Sequence, residues 1–230
     1  MASVDNHLIH LISRTERRAL LTLCEQVPLV LSQVLWTPSE VTEHVYFPVE
    51  GFISLVATGK GNPNLEVGMR GREGMLGDHV VLGTMPTPVR AVVHGQGWAW
   101  RLTTQMFQKQ LATSPSTKRV LDRYVSLLMN QFITASMCLH YHAVAPRLAR
   151  WLLMSQDRAC SDRLSMTHEL ISRMIGARRV SVTLAAGLLQ QEGLIEYSHG
   201  HLRVLDRAGL EAAACDCYEI DRQSYADTMG

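Results

Sequence analysis

Arg178, Arg179, Ser181 and Thr183 open a segment whose apolar residues, Val182, Ala185, Ala186 and Leu189, recur at the i, i+3, i+4, i+7 spacing of one helix face. The polar group is left off that face and is free for other work. Arginine forks match the two acceptors on the major-groove edge of guanine, and a hydroxyl can reach a phosphate oxygen. Upstream, Thr167 can cap a shorter helix that buries Leu170, Ile171, Met174 and Ile175, with His168 beside the cap. Gly176 falls where the chain must turn sharply between the two helices. Gly193 ends the second helix, and residues 194–197 and 201–204 can pair across Ser198-His199-Gly200 as a small β-wing. His199 and His201 would strengthen a phosphate or groove contact when protonated. Helix, tight turn, helix and hairpin make a winged helix-turn-helix, whose second helix meets base edges with its N-terminal residues. The pattern predicts DNA binding through Thr167, His168, Arg178, Arg179, Ser181, Thr183, His199 and His201. A helical hairpin with two surface arginines is the plainer alternative; the agreement of turn, face and hairpin argues against it.

Bulk composition does not supply such an affinity by itself. The 230 residues are 47% apolar and 19% charged, with a formal net charge of +1, so nucleic-acid affinity must come from a local patch. No apolar run reaches the ~18 residues a membrane helix needs. The first residues lack the basic, apolar, small-residue pattern of a secretory signal. Five scattered cysteines fit a reducing compartment, so a cytoplasmic protein without membrane contact is expected.

The elements that must position the polar group come earlier in the chain. Residues 7–24 read as a helix with Leu8, Ile9, Ile12, Leu20, Leu21 and Leu23 inward. Between residues 28 and 103, short β-branched or aromatic runs at 29–35, 45–47, 52–57, 65–69, 89–94 and 98–102 alternate with turn formers, among them the run 59–63. That spacing predicts an antiparallel barrel or sandwich. A helix over 117–141 carries Val120, Tyr124, Leu127, Leu128, Phe132, Ala135 and Leu139 on one stripe, and at 1.5 Å per residue it spans roughly 37 Å. A dimer seam is the economical use of such a stripe. A helix over 145–154 and a polar stretch at 156–163 lead into the DNA-binding segment.

A strand-rich domain, a long helix and a C-terminal winged helix-turn-helix, in that order, resemble the Crp–Fnr family of bacterial transcription regulators. The likeness is strongest at ELISRMIGARRVSVTLAAGLLQQEGLI and extends to the turn GREGMLGD. It implies an α+β chain in three parts. Residues 1–115 would be an antiparallel β-roll (a double-stranded β-helix, jelly-roll-like) like a cyclic-nucleotide-binding domain, with an N-terminal helix. Residues 116–143 would be a dimerisation helix, and 144–230 the DNA-binding domain with an acidic C-terminal tail. It also implies a homodimer on a palindromic operator, RNA polymerase as a partner and a small-molecule effector. Arg179 matches a guanine-reading arginine of the family and Thr167 a phosphate-contacting threonine. The next two base-reading positions hold Val180 and Leu184, so the operator should differ.

Effector contacts carried over from the resemblance are Gly77, Asp78, His79, Val89, Arg90, Ala91 and Tyr124. The family's nucleotide binders have Gly-Glu-Leu and later Arg-Ser-Ala there. This chain has Gly77-Asp78-His79 and Val89-Arg90-Ala91, which shortens the ribose carboxylate and removes the phosphate arginine. A pocket whose polar partners go unpaired loses several kcal/mol, so cyclic AMP is not expected as the effector.

No cofactor or metal is expected. Cys215 and Cys217 read as incidental thiols of the tail, with thiol oxidation as an open alternative. His140 and His142 point about 200° apart on a helix and cannot share an ion there. No nucleophile elbow, zinc-protease or phosphate-loop pattern appears, which argues against an enzyme. Two alternatives stand beside the effector-linked regulator. One is a ligand-independent or thiol-controlled regulator of the same fold. The other is a barrel-based binding or catalytic protein whose C-terminal unit contacts proteins.

Overall fold

The computed structural model describes residues 6–59, 62–84 and 86–230. Two helices, α1 (His7–Leu11) and α2 (Arg14–Leu23), replace the single one expected over 7–24. The Asn6 side chain caps α1 by accepting from Ile9 N–H, and the backbone at Ile12 and Ser13 is extended, which breaks the run.

Strands β1 (Glu25–Leu29), β2 (Val34–Trp36), β3 (His44–Gly59), β4 (Asn62–Arg70) and β5 (Val89–Thr103) form one antiparallel sheet. Its order is β1-β5-β3-β4, with β2 also on β5, and it does not close into a barrel. The run expected over 29–35 is split, its ends in β1 and β2 and a turn between them with Ser32 at φ +66°. The runs at 45–47 and 52–57 merge into the 16-residue β3, and those at 89–94 and 98–102 into the 15-residue β5. Gly51, between the two expected runs, sits at φ +78° in a bulge where a Cβ would lie 2.3 Å from the Gly95 carbonyl oxygen. Only glycine permits that approach, so the long pair bends rather than ends. Lys60 and Gly61 of the expected turn at 59–63 lie outside the described residues.

After α3 (Asp78–Val81) and α4 (Thr104–Ala112) comes α5 (Pro115–Tyr141), 27 residues opened by Pro115 in its first turn. Here four of the seven residues expected at the seam are corrected. Val120, Tyr124, Leu127 and Leu128 are buried within their own chain, in a core with Leu8, Leu20, Phe47, Met75 and Phe107. The N-terminal half of α5 is thus a wall of the β-domain. The apolar residues it leaves exposed are Met129, Phe132, Ile133, Met137, Leu139 and Tyr141.

Helix α6 (Val144–Ala159) runs five residues past the expected end at 154 and takes in the polar stretch that begins at Gln156. Strand β6 (Arg163–Ser165) follows, then α7 (His168–Met174), α8 (Arg179–Gln191), β7 (Ile195–Ser198) and β8 (His201–Val204). The acidic tail is folded: α9 (Arg207–Ala213) and α10 (Cys217–Met229) lie against α6 and α5, and Met229 joins the core of the β-domain.

A second core crosses from the sheet into the C-terminal part, joining Phe52, Val56, Met69 and Val92 to Leu148, Trp151, Leu152, Met174 and Val182. Glu66 lies at this junction. Its Oε1 accepts from Trp151 Nε1 at 2.8 Å, while Oε2 is shut off from solvent without a partner. Ser54, beside it, is 2.8 Å from His94 Nδ1. Burial pushes the Glu66 carboxyl up to about 7, against the hydrogen bond from Trp151 and the charges of Arg158 and Arg150. The folded chain therefore holds this proton above the ordinary value of 4.5, where the unfolded chain has released it. Stability falls as pH rises through that window. Glu66→Gln should match the parent near pH 5 and exceed it by about 1–3 kcal/mol near pH 8, read from denaturant midpoints. Equal gains at both values would remove the buried acid from the account.

Candidate nucleic-acid interface

Helix α7 starts at Thr167, whose Oγ1 accepts from Leu170 N–H at 3.1 Å. It stops within two turns because Gly176 takes φ +60°, and Ala177 N–H closes the turn on the Ser172 carbonyl at 2.9 Å. A Cβ on Gly176 would lie 2.9 Å from Leu65 Cδ1 on β4 and 3.3 Å from Leu139 Cδ1 on α5. The Arg147 guanidinium donates to the Ile175 carbonyl from α6. The turn is thus seated against three elements outside the motif.

Arg178 is the N-cap residue of α8 and Arg179 its first helical residue, and both are exposed. Neither guanidinium is held in an ion pair within the described chain. Val182, Ala185, Ala186 and Leu189 are buried, so the inner face is the one its spacing predicts. Ser181 is half-buried on the first turn. The outer face carries Val180, Leu184 and Leu188 at 71%, 66% and 53% exposure. This apolar stripe sits between the arginines and the end of the helix.

His168 and Thr183 are placed differently from expectation. The His168 ring stacks on Tyr197 at 4.1 Å and 15°, and its Nδ1 lies 3.0 Å from Thr183 Oγ1, which donates to the Arg179 carbonyl. His168 Nε2 is buried without a partner, and burial followed by the Arg179 charge holds the imidazole below its ordinary pKa. The polar atoms of both side chains are spent within the motif, joining α7, α8 and β7.

The wing has three strands rather than two, in the order β6-β8-β7. His201 pairs with both Ser165 and Ser198, and its Nδ1 lies 3.4 Å from Ser165 Oγ. His199, at φ +50°, occupies the tip, with Nδ1 2.8 Å from Ser198 Oγ. Both imidazoles are exposed, as are Arg163 and Arg203, which are register partners across β6 and β8. The third strand and its arginine were not legible, because a three-residue run has no periodicity to read.

The effector residues are dispersed and largely committed. Asp78 Oδ2 is 3.4 Å from the guanidinium of Arg70, itself 1% exposed. Arg70, which sequence reasoning passed over, thus holds the carboxylate meant for a ribose. His79 Nε2 bonds Thr42 Oγ1 at 2.8 Å, and its ring meets Trp36 edge-on at 5.6 Å. Gly77, at φ +101°, lies against Val45. On β5, Ala91 is buried and Val89 and Arg90 are half-buried. Tyr124 belongs to the core: its hydroxyl accepts from Met75 N–H at 3.2 Å and fills the space beside Gly74. The space that touches sheet, long helix and motif together is a cavity of about 230 Å³ lined by Leu65, Met69, Phe132, Leu139, Trp151 and Met174.

Residues 146–213 match the Crp-like helix-turn-helix domain family. Among solved structures, a CRP-family transcriptional regulator from Thermus thermophilus aligns with a TM-score of 0.68 and 18% identity, over 82% of this chain and 96% of that one. FixK2 from Bradyrhizobium japonicum aligns with a TM-score of 0.67 and 14% identity, over 84% and 98%. The c-di-GMP-responsive global regulator CLP from Xanthomonas campestris aligns with a TM-score of 0.63 and 16% identity, over 84% and 99%. These likenesses are of fold. No curated protein sequence matches the chain. No helix among the described residues is long and apolar enough to cross a membrane.

Proposed function

We infer that this chain, which carries a Crp-like helix-turn-helix DNA-binding domain on the fold of the Crp/Fnr regulators, acts as a homodimeric, sequence-specific transcription regulator whose β-domain is not a cyclic-AMP receptor. The observation that carries the DNA reading is the N-terminus of α8, where Arg178 and Arg179 face solvent unpaired. Arg179 reads guanine through its two acceptors. Val180 and Leu184 continue along the same exposed face and suit thymine methyl groups, for which an apolar side chain is the matching partner. Thr167, Ser181, His199 and His201 border that face from the cap, the helix and the wing, and serve the phosphates.

Pairing of two copies rests on the outer face of α5. Met129, Ile133 and Met137 recur every four residues and are 64%, 61% and 51% exposed, with Phe132 beside them. A stripe of that spacing on a long helix suits knobs-into-holes packing against its own two-fold copy. Two such copies present two recognition helices to a palindromic site. Against cyclic AMP stand Val89, where a phosphate arginine is required, and the engagement of Asp78 by Arg70.

Arg179→Ala should cost about 1–3 kcal/mol on the specific site and relax the preference at one base pair. Thr167→Ala should weaken all sequences alike and cost about 1 kcal/mol of stability through the lost cap. Competitive gel-shift titration separates the two; unchanged operator affinity for Arg179→Ala sinks the assignment. Ile133→Glu should turn a dimeric mass into a monomeric one in light scattering at micromolar concentration, and a parent that is already monomeric refutes the seam. Calorimetry with cyclic AMP should give no binding heat; micromolar affinity would reverse the reading of Val89.

A further inference from the structure

Cys138, His142, Cys215 and Cys217 converge where the long helix ends and the C-terminal helices return to it. One donor atom of each lies within 4.8 Å of all the others. Cys138 Sγ is 3.5 Å from Cys215 Sγ, and His142 Nδ1 is 3.5 Å from Cys217 Sγ. The three thiols are buried and His142 is half-buried. We propose that these four side chains form a tetrahedral site for one zinc-class divalent ion, with three thiolates and His142 Nδ1 as ligands.

The donor set and its spacing select that ion. Metal–sulfur bonds of about 2.3 Å around a tetrahedral centre set the sulfur atoms about 3.8 Å apart, close to the spacing present. A disulfide uses two sulfurs about 2 Å apart and leaves Cys217 and His142 without a role. An iron–sulfur cluster spreads its thiolates over several irons, whereas donors this close converge on a single ion. Thiolate and imidazole favour zinc-like ions over magnesium or calcium, which take oxygen.

The surroundings complete the site. His142 Nε2 lies 3.4 Å from Asp216 Oδ1. A carboxylate on the second ring nitrogen is the arrangement that orients a ligating histidine and fixes its tautomer. Asp216 stands between the two cysteines, so a three-residue segment supplies two ligands and the outer carboxylate. Three thiolates on a divalent ion leave one net negative charge, and the charges of Arg147 and Arg150 reach Cys138 and Cys215. Metal binding sends the thiol protons to solvent and changes no oxidation state.

Placement gives the ion its effect. Cys138 lies on the last turn of α5, and His142, four residues on, is its C-cap, so both donors come to one side. Cys215 lies between α9 and α10, Cys217 opens α10, and α6 begins two residues after His142. A bound ion staples the end of the long helix to α10 at the point where the chain passes into the DNA-binding domain.

The full chain, fully reduced and freed of metal by chelation, is to be titrated with Co²⁺. The expected result is one ion per chain, with the strong visible bands of tetrahedral cobalt and the near-ultraviolet sulfur-to-cobalt transitions of three thiolates, both abolished by Zn²⁺. Cys138→Ser and Cys217→Ser should each reduce the sulfur transitions by about a third or abolish binding, and Cys24→Ser should leave them unchanged. Asp216→Asn changes an exposed side chain, so it tests the site even where a cysteine variant fails to fold. It should weaken cobalt binding about 10- to 100-fold. The proposal is overturned by reduced protein that binds no cobalt, by bound cobalt without sulfur transitions, or by a spectrum indifferent to the loss of Cys138.

Discussion

The β-domain and the C-terminal part close over the same apolar core. Phe52, Val56, Met69 and Val92 of the sheet pack with residues of α6, α7 and α8, and the Trp151 indole reaches across to buried Glu66. Burial of this kind is non-directional and favours any tight fit. The hydrogen bonds at the junction select one fit, because a misplaced partner leaves a polar group stranded in a dry interior. The orientation of α8 depends on that selection, since α7 and α8 are held by α6 below and by β4 and α5 at the turn.

The long helix serves two surroundings in succession. Its first half completes the core under the sheet, with the Tyr124 hydroxyl fixing the backbone at Met75. Its second half turns apolar side chains outward and ends on a buried thiol. A single periodic stripe in the sequence conceals this change of duty. Periodicity of about 3.6 reports that a face is apolar, not whether the covering surface belongs to the same chain.

The helix-turn-helix was legible because each of its signals is local: a capping threonine, a glycine at the turn and an apolar face one helix wide. The β-wing was half legible, and its third strand was lost for want of length. What sequence reading missed was long-range pairing. Arg70 and Asp78 are eight residues apart yet meet only because β4 and α3 fold toward each other. The thiols of Cys138 and Cys215 are brought together by α10 lying back along α5, a return that a composition of acidic and polar residues hides. The local clues were the i, i+4 spacing of Cys138 and His142, overlooked beside the i, i+2 pair His140 and His142, and the Cys215-Asp216-Cys217 segment, read as incidental thiols.

Gly176 leaves one last consequence. The missing side chain lets Leu65 and Leu139 come closer to the turn than a Cβ would comfortably allow. A side chain at position 176 would crowd both leucines three residues before α8 begins, so the glycine keeps sheet and long helix in touch with the DNA-binding unit.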